Sequence, residues 1–233
     1  MLTREDIQYV PLPSDKEALH SMVNKLLLAA NINLALWGVD NAKSQKAFEK
    51  ELRKGERRII TIPREEVPAI FADILPNTKE IIATEVIRSS VRVTSGSEIL
   101  IDGIQIDDDG KVRIRDKDRL SEKTVFGEEP RHTVIRLIQE ESGGLLDISP
   151  ERFIFLPEPA SEQPDIRLRR SHNYPGFITN ARRNRFLLQL TLEEYKKSVF
   201  LQNPFLPPGT RGFIEEDHDA EPHKTNYVYW RQK

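Results

Sequence analysis

From residue 80 onward the chain changes texture, and that change limits what it can fold into. Residues 80–94 are rich in Ile and Val, and residues 98–106 form a second apolar run. Asp107-Asp108-Asp109-Gly110 then reads as a hairpin turn, with Gly110 free to take positive φ, and residues 111–115 return. Further strand-like runs occupy residues 152–156, 185–190 and 225–230. Between them sits one well-bounded helix. Pro130 opens it where the missing N–H costs nothing, and Gly143-Gly144 closes it. Residues 192–200 offer a shorter helix. Many strands with few helices predict a mixed α/β sandwich.

The part before residue 77 reads as mainly helical. Ser14 is placed to cap a helix on which Leu19, Met22, Val23, Leu26 and Leu27 recur at helical spacing, and Asn31 and Asn33 end it. A second helix is expected over residues 42–54, stopped by Gly55, with Phe48 and Leu52 on one face. Residues 59–62 are a candidate short strand. Pro76-Asn77 marks a boundary, which divides the chain into a helical segment (1–76) and a main domain (77–233).

Composition excludes several chemistries. There is no cysteine, so disulfides, zinc-thiolate sites and cysteine nucleophiles are out. The formal net charge is −2, so no global field draws nucleic acid or anionic membrane. The N-terminal stretch carries Arg4, Glu5 and Asp6 and lacks an apolar signal core. The most apolar run, residues 26–30, is far too short to span a bilayer. The expectation is a soluble, cytoplasmic protein without a membrane partner.

The densest local signal is GEEPRHTVIRLIQEESGG, beginning at Gly127. At 100° per residue, Val134, Ile135 and Ile138 are expected on one side of its helix. Leu137, Glu140 and Glu141 are expected on the other. Neighbouring carboxylates on a rigid helix repel, and a divalent cation with a preference for oxygen ligands relieves that repulsion. The alternative is that Glu140 and Glu141 are the solvated face of an amphipathic helix.

The stretch resembles the second half of the box of Nudix hydrolases, in which Gly-Glu precedes a helix carrying Arg-Glu-x-x-Glu-Glu-x-Gly. Gly127, Glu128, Arg136, Glu140, Glu141 and Gly143 take those places. Leu137 stands where the family has Glu, and Glu122 where it has an earlier Gly. The resemblance extends over most of residues 26–233, to a less characterised Nudix-like group with a helical segment in front. Trp37-Gly38 with Ala42-Lys43-Ser44, Leu120-Ser121-Glu122-Lys123, Tyr174-Pro175-Gly176 and the aromatic run 227–230 carry it.

This resemblance implies a Nudix-type α/β/α sandwich with a mixed sheet. It implies a hydrolase of nucleoside diphosphate-linked or related pyrophosphates that uses Mg²⁺ or Mn²⁺. Glu140 and Glu141 would be catalytic acids and metal ligands, and Glu128 an auxiliary ligand. Arg136 would orient the loop as a salt-bridge partner, with Gly127 and Gly143 shaping the chain around it. Glu215, Glu216 or Asp217 could add a distant acid. The other reading, invited by Leu137, is an impaired Nudix fold that binds a nucleotide, an RNA 5′ end or a protein. A homodimer is compatible with either.

Arg167, Arg169 and Arg170, followed by Arg182, Arg183 and Arg185, are candidates for phosphate contacts, because guanidinium forks suit phosphate oxygens. Ion pairing with the chain's abundant acids is the competing reading. Trp37 is expected to anchor a core, and Tyr174-Pro175-Gly176 to be a turn with a packed ring. Lys43 is expected in solvent. His218 and His223 flank acids without metal-ligand spacing.

Overall fold

The computed structural model describes residues 4–39, 42–157, 167–217 and 223–233. They form a mixed α/β protein with a large antiparallel sheet and few helices. The chain groups into two compact units. The first comprises Met1–Arg88, Lys123–Gly127 and Pro159–Arg183, and the second Ser89–Glu122, Glu128–Glu158 and Asn184–Lys233. The first unit thus runs past the boundary expected at Pro76-Asn77 and takes back two later segments.

The first unit holds β1 (Gln8–Tyr9), α1 (Lys16–Ala29), α2 (Gln45–Arg53), β2 (Arg58–Pro63) and the first half of β3 (Glu80–Ser95). The short strand expected over residues 59–62 forms as β2, which pairs antiparallel with β1 and β3. Asp15, not Ser14, caps α1, its carboxylate accepting the Ala18 N–H. Either oxygen-bearing side chain suits a cap, and the tertiary path chose the second. Ser44 caps α2 through the Ala47 N–H. Asn31 follows α1 with φ 54°, a left-handed residue that turns the chain.

One face of β2 and β3 buries Ile60, Ile62, Ile81 and Ala83 with Val67 and Phe71. The other packs Ile59 against Leu19, Val23, Leu27, Phe48 and Leu52 of the two helices. Trp37 sits in this second core, as expected of an anchor. Its ring meets Phe48, Tyr174 and Phe177, and its Nε1 donates to the Pro175 carbonyl at 2.9 Å. Tyr174 is fully buried, and Gly176 turns at φ 94° beneath Ile32, where a Cβ would lie 2.9 Å from Ile32 Cδ1.

The second unit contains the rest of β3, β4 (Glu98–Asp107), β5 (Val112–Lys117), most of β6 (Leu120–Lys123) and α3 (Pro130–Glu141). It also contains β7 (Ile154–Leu156), the end of β9 (Ile178–Gln189), α4 (Leu192–Lys196), β10 (Val199–Phe200), β11 (Arg211–Asp217) and β12 (Lys224–Gln232). Antiparallel ladders link β4 to β5 and β12, β12 to β11, and β11 to β10. β8 (Leu168–Arg170) pairs with the start of β9 in the first unit. The hairpin at Asp107–Gly110 forms as its residues dictate, with Gly110 at φ 79°. Residues 192–200 do not form one helix: α4 ends at Lys196, and Val199–Phe200 pair as a strand. Within this unit Leu100, Phe213, Val228 and Trp230 of the sheet bury against Val134, Leu137 and Ile138 of α3. Among the described residues no helix is long and apolar enough to cross a membrane.

Candidate functional site

The candidate site lies in the second unit, where the sheet's apolar face gives way to a polar row. Side chains alternate between faces along a strand. Phe213 and Val228 face the core, so Glu215 and Asn226, two residues away, share that face. These two stand opposite each other across the β11–β12 ladder, as do Val228 and Asp102 across β12–β4. Asn226 donates to Glu215 Oε2 at 2.5 Å and accepts from Gln105 Nε2 at 2.8 Å. Asp102 is buried and ion-paired to Arg115 of β5 at 3.0 Å. A β-bulge at Gly103 interrupts the ladder beside it, and a Cβ there would lie 2.0 Å from the Tyr229 ring.

Helix α3 packs on β11 and brings Glu141 to this row. This corrects the helical wheel expected from sequence. Leu137 does not share a solvent face with the glutamates; it is 2% exposed and buried with Val134 and Ile138. Glu141 lies seven residues after Val134, about 20° short of two full turns, so it stacks over the buried side. Glu140 falls outward. Its carboxylate is half exposed and pairs with Arg136 at 3.5 Å. Glu140 and Glu141 therefore do not point the same way.

Glu141 as a whole is partly exposed, yet its Oε2 is sealed from solvent and has no hydrogen-bond partner. Loss of hydration raises its pKa well above the usual carboxylate range, and the charges of Glu215, Asp102 and Glu122 push it the same way. The Glu215 carboxyl is also raised by burial, with Asp217, Glu140 and Glu122 adding repulsion. Burial raises Asp102 too, against the pull of Arg115 and Lys117. The carboxylates thus hold one another up.

Around the helix start, Glu128 accepts from the Thr133 hydroxyl at 2.9 Å and meets Arg136 at 3.6 Å. Arg136 thereby bridges Glu128 and Glu140. The turns on either side use glycines at positive φ, Gly127 at 94° and Gly143 at 58°.

The donor set is all carboxylate oxygen, the chemistry that Mg²⁺ or Mn²⁺ prefers. Among the described residues, however, no three acidic or imidazole side chains converge closely enough to hold an ion as they stand. The feature that fits a cation is the bare, buried Oε2 of Glu141 in a field of like charges. His223 belongs to no such group, and His218 lies outside the described residues.

Of the arginine candidates, Arg185 falls in the second unit and the others in the first, where they go separate ways. Arg170 is committed to Asp73 at 2.5 and 2.9 Å and to the Ile70 carbonyl. The Arg167 backbone N–H donates to Asn180 Oδ1 at 3.0 Å. Arg169 stands among other arginines. Lys43 is not simply solvated: its Nζ reaches the buried Glu51 at 2.8 Å. Glu51 also receives Arg57 and Lys123, so lysines from two separate sequence motifs meet on one carboxylate.

Sequence reasoning named Glu215 among three distant acids but missed Asp102, Glu122 and Asn226. An Asp followed by Gly inside Ile-Leu-Ile-Asp-Gly-Ile was the available signal, since a buried strand rarely admits a charge. Comparison of the chain with protein-family models and with curated proteins finds no match.

Proposed function

We propose that this chain is a Nudix-type hydrolase that uses Mg²⁺ or Mn²⁺ to cleave a nucleoside diphosphate-linked or related pyrophosphate substrate, in the cytoplasm. Its fold would be the Nudix α/β/α sandwich with a mixed sheet, preceded by a helical segment. The observation that carries the reading is the unpartnered, buried Oε2 of Glu141. A buried carboxylate without a hydrogen bond, pressed by further acids, is stabilised by a proton or by a cation, and a cation drawing Glu215 toward it would serve both carboxylates.

Glu141 and Glu215 would hold that cation, with Glu140 and Glu128 of the box supporting it. When bound, it neutralises phosphate charge and makes a bound water a better nucleophile. The chain's own residues prepare the place. Asn226 fixes the Glu215 carboxylate through its amide, Arg115 offsets Asp102, and Arg136 ties Glu128 to Glu140. The apolar core beneath, with Leu137 in it, keeps water from that side of the helix.

A second reading is a Nudix fold without turnover that binds a nucleotide, an RNA 5′ end or a protein. The burial of Leu137 favours it, because the family's acid at that position has no counterpart here. The deciding experiment is a panel of nucleoside diphosphate-linked substrates with Mg²⁺ or Mn²⁺ and phosphate detection. Cation-dependent turnover that Glu141→Gln abolishes supports the hydrolase. No turnover, with nucleotides still raising the melting temperature, supports the binding module. Turnover unchanged in Glu141→Gln removes the basis of the first reading.

A further inference from the structure

Strands β3 and β9 advance in step. The Thr84 and Thr179 hydroxyls meet at 2.9 Å, and Asn180 Nδ2 donates to Glu85 Oε1 at 3.1 Å, both contacts spanning 95 residues. The same separation at both places is the mark of a parallel pair, and that offset carried along the strands puts Arg183 level with Arg88. With a period of two, Thr84 and Arg88 share a face of β3, and Thr179 and Arg183 share that face on β9. On the far side of β9, the β8 ladder sets Arg169 opposite Thr179. Arg169 therefore joins the same face. Arg57, just before β2, arrives there as well, its Nη1 donating to the Thr84 hydroxyl at 2.8 Å. All of these residues belong to the first unit.

Like charges gathered on one face of a sheet repel one another. Here burial, then the charges of Arg183, Arg88 and Arg57, pull the pKa of Arg169 below that of an ordinary guanidinium. The buried acids nearby are already used. Glu51 serves Lys43, Arg57 and Lys123, and Glu85 accepts from Tyr9 and Asn180 and is ion-paired with Arg182. Among the described residues no carboxylate pairs with Arg169 or Arg183. Arg88 has an interaction of its own, so the weight rests on the other two.

We propose that Arg169 and Arg183, with Arg88 beside them and Arg57 behind, form a binding site for a phosphoryl group of a small ligand. Guanidinium forks donate in pairs to tetrahedral oxyanions, and the ligand's charge would offset their mutual repulsion. Strands fix the backbones of Arg169 and Arg183, and both side chains are exposed and so accessible to a ligand. A small ligand is favoured over a nucleic-acid strand because the chain's net charge of −2 supplies no extended basic field. This inference does not depend on the hydrolase reading.

The test uses the full chain at low salt in EDTA, titrated with inorganic pyrophosphate in a calorimeter. A single-stranded RNA 12-mer is followed in parallel by fluorescence anisotropy. Saturable pyrophosphate binding is expected, weakened at least about 10-fold by Arg169→Gln and by Arg183→Gln, as for a lost charge-assisted hydrogen bond. Without ligand, both variants should melt at or above the wild-type temperature, since each relieves repulsion. Absence of saturable pyrophosphate binding overturns the proposal, and so does unchanged affinity in both variants. RNA binding that pyrophosphate fails to displace overturns the small-ligand assignment. A lowered melting temperature of both unliganded variants would mean that the arginines hold the fold together, and also overturns it. With EDTA present and Glu141 untouched, failure here is distinct from failure of the hydrolase.

Discussion

Glu141→Gln replaces a second-unit carboxylate whose sealed Oε2 has no hydrogen-bond partner. Gln keeps the shape of Glu, so the packing of α3 is retained and the change is close to purely electrostatic. Leaving a buried polar group without its hydrogen bond costs about 1–3 kcal/mol, and more when the group is charged. The variant should therefore be more stable than the wild type by about that amount when no divalent cation is present. For a chain of this length, 1 kcal/mol moves the melting temperature by about 2–4 °C, which gives a rise of roughly 2–12 °C. Adding Mg²⁺ should close the gap from the other side. At ten times its dissociation constant, a ligand that binds only the native state adds about 1.4 kcal/mol, and this gain should belong to the wild type alone. pH offers a second check. The Glu141 pKa is raised in the folded state, so the native chain holds its proton more tightly than the unfolded chain. Wild-type stability should then fall as pH rises from about 4.5 toward the raised value, and the fall should be shallower in the variant. Scanning calorimetry at several pH values, with EDTA and with MgCl₂, measures all of this. A variant less stable than wild type in EDTA, or equal stabilisation of both by Mg²⁺, refutes the reasoning.

Leu137→Glu restores the family's pattern on paper but puts a carboxylate into the apolar core, and should cost about 3 kcal/mol or more in urea unfolding; near-wild-type stability would mean that the position faces water. Glu51→Gln strips three cationic side chains of their shared partner and should destabilise by about 3–5 kcal/mol at neutral pH, again by urea unfolding. Although burial alone would raise it, Lys123, Arg57 and Lys43 hold the Glu51 carboxyl far below the usual range. Its contribution is therefore present above the unfolded value of about 4.5 and declines as the pH falls below it, so the gap between wild type and Glu51→Gln should narrow in acid; a gap independent of pH counts against the network. Gly103→Ala should lower stability by about 1–3 kcal/mol, because the Tyr229 ring must move away from a Cβ placed 2.0 Å from it. A melting temperature equal to wild type would show that the ring yields freely.

Much of the local structure was legible in the residues. Pro130 and Gly143-Gly144 bound a helix that the structure ends at Glu141, and Asp-Asp-Asp-Gly makes the hairpin it spells. The apolar periodicity of residues 19–27 marks α1. These are short-range effects. A fixed φ, a missing N–H or a repeating apolar face acts within a few residues, and the sequence alone determines it. The side of α3 on which Glu141 sits was in principle also local, since it follows from the helical angle.

What only the tertiary structure decided is what each side chain meets. The residues near Asp102 mark a strand, but only the β4, β11 and β12 ladders and the packing of α3 bring Asp102, Glu215 and Glu141 within each other's fields. Arg169, Arg170 and Arg183 look alike in the sequence. Folding pairs Arg170 with Asp73 and sets the other two among like charges. Burial and long-range register set the cost of a charge, and neither is a property of the few residues around it.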